Sequence, residues 1–426
     1  MNQNSDRRRS LMNPTPDSVR SARAPGRSAN PLAVALAAMT AMAIIMGIGR
    51  FALTPILPLM LHEGLVDLSG GGWLATVNYI GYFVGAMLSI AIRRFPRQSI
   101  RWALGATVAL TVLMGVTDSL PAWLALRFLG GVVTGLGFVA VSSWCLGWLA
   151  FLNQAHLGGI MFVGPGAGIL VSGVAGGVML SHGWHPDPAW LWSGVLAAVC
   201  SLPVWALVGR RPPSVAIDGR AARPAAAVKG VSRLPGNLTT IAIHIIAYGT
   251  AGFGYIITAT FLPVMVDLAL PDMAGQTLLW PLFGFCIALG SLLAVRIPAA
   301  WNHWMLLAVA YLLQAGGVAA TFLLGDFWGF ALGSILLGLP CLAIVLFAMR
   351  EARRLGGARA VQLMGALTAS YALGQIIGPP LATYLVERSG GFDAPLGVAS
   401  AALLAGALLY GTLYVRERVI AGAASA

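Results

Sequence analysis

Long apolar stretches alternate along the chain with short segments that contain charged residues, proline or glycine. A helix of about 20 apolar residues is needed to cross the hydrocarbon core of a bilayer. The stretches of suitable length predict twelve transmembrane helices, at 31–61, 70–92, 99–117, 121–147, 156–180, 188–209, 237–267, 275–295, 303–324, 327–349, 359–386 and 394–415. A helix formed by the first stretch would be longer than the bilayer core is thick. Pro55 and Pro58 predict a kink near the C-terminal end of this helix.

The composition restricts the class of protein. Of 426 residues, 58% are hydrophobic and only 9% are charged, whereas soluble domains carry about 25% charged residues. A soluble enzyme is therefore excluded, and we predict an all-α polytopic membrane protein. The sequence has no metal-ligand spacing, Walker loop, Gly-x-Ser-x-Gly motif or paired carboxylates within the apolar stretches. We accordingly expect no catalytic residues, no cofactor and no bound metal.

The charged residues are distributed unequally between the two predicted sides of the membrane. One side, which includes both tails, holds 23 of the 26 basic residues, and the other holds Arg388 and nine of the 14 acidic residues. Basic loops concentrate on the cytoplasmic side. The pattern predicts a multi-pass protein of the inner (plasma) membrane with both termini cytoplasmic. Because the basic residues form short clusters between apolar stretches, we expect no nucleic-acid partner.

A segment rich in charges and proline divides the chain into two sets of six predicted helices. The predicted organisation is a basic cytoplasmic tail at 1–30, an N-terminal six-helix bundle at 31–209, a cytoplasmic linker at 210–236, a C-terminal six-helix bundle at 237–415 and a second cytoplasmic tail at 416–426.

The two sets are related by an internal repeat. Residues 47–60 match residues 252–265 at a constant offset of 205, with Gly-x-Gly at the start and Leu-Pro-x-Met at the end. The same offset relates Gly85 to Gly290 in the following helices. Parallel repeats of this kind place a substrate site near the bilayer midplane, between the halves.

The string Gly47-Ile-Gly-Arg50-Phe-Ala-Leu-Thr-Pro-Ile-Leu-Pro-Leu-Met60 resembles the YbfB/YjiJ-type branch of the Major Facilitator Superfamily. The fourth span is similar to a second superfamily motif through Arg127, Gly131 and Gly135. The fifth span is similar to an antiporter-associated motif in the glycine-rich segment 159–173. The resemblance implies two six-helix bundles and secondary active transport by alternating access, and the antiporter motif implies export.

Arg50 and Arg127 are the charged residues well inside the predicted spans. Charged side chains at such depth face the bundle interior or a water-filled cavity, and the resemblance implies that the first and fourth helices line a central cavity. A guanidinium suits a carboxylate or phosphate, and no acidic residue lies within the spans to pair with it. We therefore predict that both arginines bind a small organic anion or polar metabolite. The alternative for Arg127 is a structural role, bonding backbone carbonyls of neighbouring helices. A structural role is the alternative for Arg50 as well.

Further polar residues are candidates for the substrate site. They are Asn78 and Tyr79 of the second span, Tyr248 and Tyr255 of the seventh, and Tyr371 and Gln375 of the eleventh. Tyr255 occupies the position in the C-terminal half that Arg50 occupies in the N-terminal half. The N-terminal wall of the site would therefore be cationic and the facing C-terminal wall phenolic. Each of these side chains has the alternative role of satisfying a hydrogen bond between helices.

Coupling to protons needs a titratable group in the membrane, and His244 is the candidate. Its alternative is a hydrogen-bonded packing histidine. The dipeptides Gly164-Pro165 and Gly378-Pro379 are candidate hinges or close-packing positions.

The expected partners are a small-molecule substrate, protons or a counter-anion, and lipid, with the protein a monomer. The main alternative function is proton-coupled export of drugs or other amphipathic compounds, and a further alternative is a membrane receptor without transport.

Overall fold

The computed structural model describes residues 30–92, 98–208, 238–271, 273, 275–298 and 300–425. These residues form twelve helices: α1 Pro31–His62, α2 Leu68–Ala91, α3 Ser99–Met114, α4 Leu120–Phe151, α5 Ala155–Ser181, α6 Pro186–Val208, α7 Leu238–Ala269, α8 Gln276–Arg296, α9 His303–Leu324, α10 Phe327–Gly356, α11 Ala360–Ser389 and α12 Asp393–Ser425. The predicted linker at 210–236 and all of the N-terminal tail before Asn30 lie outside the described residues.

Each predicted span corresponds to one of these helices. Ten of the helices in the described part of the chain are long and apolar enough to cross a membrane. Of the other two, α3 is an apolar helix of 16 residues, and α2 has 24 residues that include three consecutive glycines. The predicted all-α membrane fold of twelve helices is confirmed.

Helices α10 and α12 extend past their predicted ends, to Gly356 and Ser425. The charged residues at those positions indicated loops in the sequence. In the structure, Nη1 of Arg354 in α10 lies 2.8 Å from Oε1 of Glu417 in α12. Burial of a charge costs less when the charge is paired, so the helices continue through these residues, and the predicted tail at 416–426 is helical through Ser425.

Helix α1 is irregular in its middle. An α-helical segment, Pro31–Met42, is followed by the π-helical segment Ala43–Ile48, and the helix is interrupted again at Ala52. The predicted kink lay near the C-terminal end of α1, whereas the irregular part comes before Pro55. A proline ring collides with the carbonyl group four residues earlier, which accounts for an interruption adjoining Ala52. Between the two irregularities lies Arg50.

The repeat-related glycines make equivalent contacts in the two halves. Gly47 of α1 packs against Gly168 of α5, and its counterpart Gly252 of α7 packs against Tyr371 of α11. Gly85 and Gly290 likewise bring α2 against α4 and α8 against α10. At each position an added Cβ would overlap backbone atoms of the neighbouring helix, and glycine permits the close approach.

The two halves pack together most extensively along three helix pairs, α1 with α7, α2 with α11, and α5 with α8. Where α1 and α7 end, Nε2 of His62 lies 2.8 Å from Oδ2 of Asp267. We call this end of the bundle the His62 face. Nearby, Gly72 of α2 packs against Thr383 of α11. The halves are thus joined at the His62 face.

The contact between α5 and α8 requires glycine. A Cβ added to Gly166 would lie 2.5 Å from the nitrogen of Ala288 and 2.6 Å from the oxygen of Gly284. We expect Gly166→Val to prevent the halves from meeting in this way. Overpacking costs about 1–3 kcal/mol, so the population of the observed arrangement should fall about fivefold or more.

The measurement is substrate flux in proteoliposomes, after size-exclusion chromatography has verified folding. The matched control is Gly147→Val in α4, because nothing lies within 4 Å of a Cβ added there. The control should keep normal flux, and equal flux in the two variants would contradict the role given to this contact.

Candidate functional site

Arg50 of α1 lies at the boundary between the two halves and is only 4% exposed. Its Nη2 donates a hydrogen bond to Oε1 of Gln375 in α11, at 2.8 Å. The guanidinium carbon lies 4.8 Å from the ring centre of Tyr79 and 4.5 Å from that of Tyr82, both in α2. These are cation–π contacts. The structure therefore brings Arg50 together with Gln375 from the opposite half.

The candidate tyrosines of the C-terminal half form a chain of contacts that begins at Gln375. The amide nitrogen of Gln375 donates to the hydroxyl of Tyr255. The rings of Tyr255 and Tyr371 stack with centres 5.8 Å apart, and those of Tyr371 and Tyr248 lie 4.9 Å apart. One cation, one amide and a row of phenol rings therefore come together.

Arg50 has neutral partners. Of the ion pairs formed by the described residues, none includes Arg50 or Arg127. Burial of a charge without a counter-ion is costly, and the two tyrosine rings and the Gln375 oxygen offset only part of that cost. The Nε atom of Arg50 is buried and has no hydrogen-bond acceptor. The guanidinium therefore keeps one donor without an acceptor.

Arg127 of α4 bonds to main-chain oxygens. Its Nη2, Nη1 and Nε atoms donate to the carbonyl groups of Arg50, Gly49 and Leu74, at 2.8, 3.3 and 3.4 Å. Asn78 donates in turn to the carbonyl oxygen of Arg127, at 2.9 Å. These bonds join α1, α2 and α4 directly behind Arg50. The geometry favours the structural alternative for Arg127 and Asn78, and direct substrate binding by either stays a prediction.

His244 lies apart from this cluster, within the C-terminal half. Its Nδ1 is 3.0 Å from the hydroxyl of Tyr410 in α12, and its Nε2 is 3.2 Å from the carbonyl oxygen of Ala348 in α10. The ring also packs edge-on against Trp304. Both ring nitrogens have partners, which favours the packing alternative, and a coupling role stays a prediction.

The two Gly-Pro dipeptides lie at equivalent helix contacts. Gly164 packs against Met42 of α1, and Pro165 falls in the first turn of the α-helical part of α5. Gly378 packs against Ile256 of α7, and Pro379 lies inside α11. Close packing is present at both glycines, and a hinge function stays a prediction.

Two residues of the site were not among the sequence candidates. Tyr82 contacts the Arg50 guanidinium, and the hydroxyl of Thr260 in α7 is 3.0 Å from that of Tyr79. Asn78, Tyr79 and Tyr82 are spaced three and four residues apart, which places them on one side of a helix. That spacing could have identified Tyr82. Thr260 has no such signal, because α7 contains several threonines.

Twelve helices in two matched halves, which meet around a buried cation, define a membrane transporter of the two-bundle type. A family model described as "Uncharacterised MFS-type transporter YbfB" matches residues 42–410. The chain belongs to this family of the Major Facilitator Superfamily, and the resemblance seen in the sequence is confirmed.

Two relatives illustrate the similarity. The uncharacterized MFS-type transporter YceJ of Bacillus subtilis (strain 168) is 25% identical over 280 residues, which span 63% of this chain and 68% of that protein. A crystal structure of a mutant of the nucleoside transporter NupG matches with a TM-score of 0.65 and 13% identity, covering 89% of this chain and 100% of that one. At this identity the second likeness shows the fold alone.

Proposed function

We propose that this transporter moves a small organic anion or polar metabolite across the inner membrane by alternating access, and that Arg50 binds the anionic group. The observation that carries the proposal is a buried guanidinium between the halves whose partners are all neutral. An unpaired cation within the membrane is expensive. A transported anion would supply its counter-ion.

The other residues divide into two roles. Gln375, Tyr255, Tyr371 and Tyr248 offer hydrogen-bonding groups and ring surfaces from the C-terminal half, whereas the cation belongs to the N-terminal half. A solute that contacts residues of both halves therefore lies between them. A change in the relative position of the halves alters the access of this solute to either side of the membrane. Arg127 and Asn78 position the backbone that carries Arg50.

The orientation follows from the charge pattern in the sequence. Concentration of basic residues on the side of both tails supports cytoplasmic termini, which puts the His62 face outside the cell. The glycine-rich segment 159–173 supports export, with protons or a counter-anion as the coupled species. The protein would act as a monomer.

The proposal is tested with pairs of anionic and neutral compounds of the same size. Purified protein in proteoliposomes is assayed for flux of benzoate, lactate and succinate. Each is compared with its neutral amide, which for succinate is the diamide. We expect at least one carboxylate to be transported and its amide to be excluded, because the amide cannot neutralise Arg50. Equal flux of each pair, or flux of neutral amphipathic compounds only, would contradict anion transport.

Proton-coupled export of amphipathic compounds would need a titrating group such as His244. Because both ring nitrogens of His244 have partners within the C-terminal half, we expect His244→Asn to leave the effect of a pH gradient on flux unchanged. The loss of one buried hydrogen bond should lower stability by about 1–3 kcal/mol. Flux is measured with and without a pH gradient, and loss of the gradient effect in a folded variant would assign proton coupling to His244.

A further inference from the structure

The donors of Arg50 are only partly used in this structure. A guanidinium presents Nε–H and one N–H of Nη2 side by side, and this edge holds both oxygens of a carboxylate. The Oε1 atom of Gln375 accepts from Nη2 at 2.8 Å, while the buried Nε has no acceptor. Nη2 thus already donates to a neutral amide oxygen, while the neighbouring Nε has no acceptor.

The same amide ties the two halves together. Gln375 is buried, accepts from Arg50 of the N-terminal half and donates to the hydroxyl of Tyr255 within its own half. The chain of contacts from Arg50 through Gln375 to Tyr255 therefore crosses the boundary between the halves. A carboxylate that binds Nε and Nη2 of Arg50 therefore competes with Gln375 for Nη2.

We propose that Gln375 is an internal substitute for the substrate, which fills the anion site of the empty carrier and holds the halves in this arrangement. This inference rests on the proposed anion function. An incoming carboxylate takes both Nε and Nη2 and frees the Gln375 amide. The carboxylate brings a negative charge and two acceptors to the guanidinium, whereas Gln375 offers one neutral oxygen, so the exchange is favourable. The empty carrier then changes conformation slowly, and exchange of bound anions is faster than net flux.

Two substitutions of Gln375 test the proposal in opposite directions. Gln375→Glu puts a fixed carboxylate against Arg50, and the substrate must compete with a group held at high local concentration. We expect anion affinity to fall about tenfold or more, with no loss of thermal stability in the empty protein. Gln375→Leu removes the contact, and we expect the ratio of exchange to net flux to fall while anion binding persists.

The assay uses full-length protein and whichever of benzoate, lactate and succinate stabilises the wild type most against heat. Gln362→Glu is the matched control, because Gln362 lies on the same helix and is exposed. It should bind and exchange as the wild type does. Unchanged anion affinity in Gln375→Glu, or an unchanged exchange ratio in Gln375→Leu, would overturn the proposal, and the leucine variant alone decides if the glutamate variant does not fold.

Failure of the inference is distinguishable from failure of the proposed function. If the wild type binds none of the three carboxylates, anion transport itself is wrong and this inference falls with it. If the wild type binds a carboxylate through Arg50 and the Gln375 variants behave like the wild type, only the role of Gln375 is wrong.

Discussion

Arg50→Ala and Arg50→Lys are both expected to abolish anion transport. Alanine removes the cation. Lysine keeps the charge but cannot present two parallel donors to a carboxylate, and it lacks the planar guanidinium that contacts the Tyr79 and Tyr82 rings. Loss of a buried, hydrogen-bonded charge pair costs about 2–5 kcal/mol, which corresponds to a decrease in flux of roughly 30-fold or more. Flux of the best carboxylate into proteoliposomes measures the effect.

Arg388 provides a matched control for both substitutions. Its guanidinium lies 4.8 Å from the Tyr384 ring, a contact similar to that of Arg50 with Tyr79, but it is exposed at the end of α11. Arg388→Ala and Arg388→Lys should leave flux close to that of the wild type. Survival of anion transport in both Arg50 variants would mean that Arg50 is structural.

Arg127→Met is expected to reduce the amount of folded protein severely. The substitution leaves the carbonyl groups of Gly49, Arg50 and Leu74 without the donors that Arg127 supplies. A buried polar group deprived of its partner costs about 1–3 kcal/mol. Thermal unfolding and folded yield measure the loss.

Arg127→Lys separates the two roles that the sequence left open. A lysine can still donate to one carbonyl group, so we expect a partly stable protein that retains carboxylate affinity. If Arg127 binds the substrate directly, the lysine variant would instead be well folded and lose anion binding.

The helices were predictable because each rests on a local signal, a stretch of about 20 apolar residues. The ends of α10 and α12 were not, because the pairing of Arg354 with Glu417 joins residues 63 positions apart. A charge beside an apolar stretch indicates a loop unless its partner is known. The predicted irregularity of α1 was likewise placed too close to the prolines. The helix is interrupted before them, at Ala52.

The chemistry of the site was predictable one residue at a time. Arg50 stood out as a cation inside an apolar stretch, and Tyr255 as its repeat counterpart. The contact of Arg50 with Gln375 joins residues 325 positions apart and depends on how the halves meet, which no local pattern encodes. The same limit applied to Arg127, because only the fold shows that its donors face main-chain oxygens.

The most direct test of the account is the preference of the protein for a carboxylate over its amide, measured as the ratio of dissociation constants in the wild type and in Arg50→Ala. We expect the wild type to prefer the carboxylate about tenfold or more, since a hydrogen bond to a charged group contributes about 1.5–3 kcal/mol. The folded Arg50→Ala variant should show no preference. An undiminished preference in that variant would contradict the assignment of Arg50 as the anion-binding group.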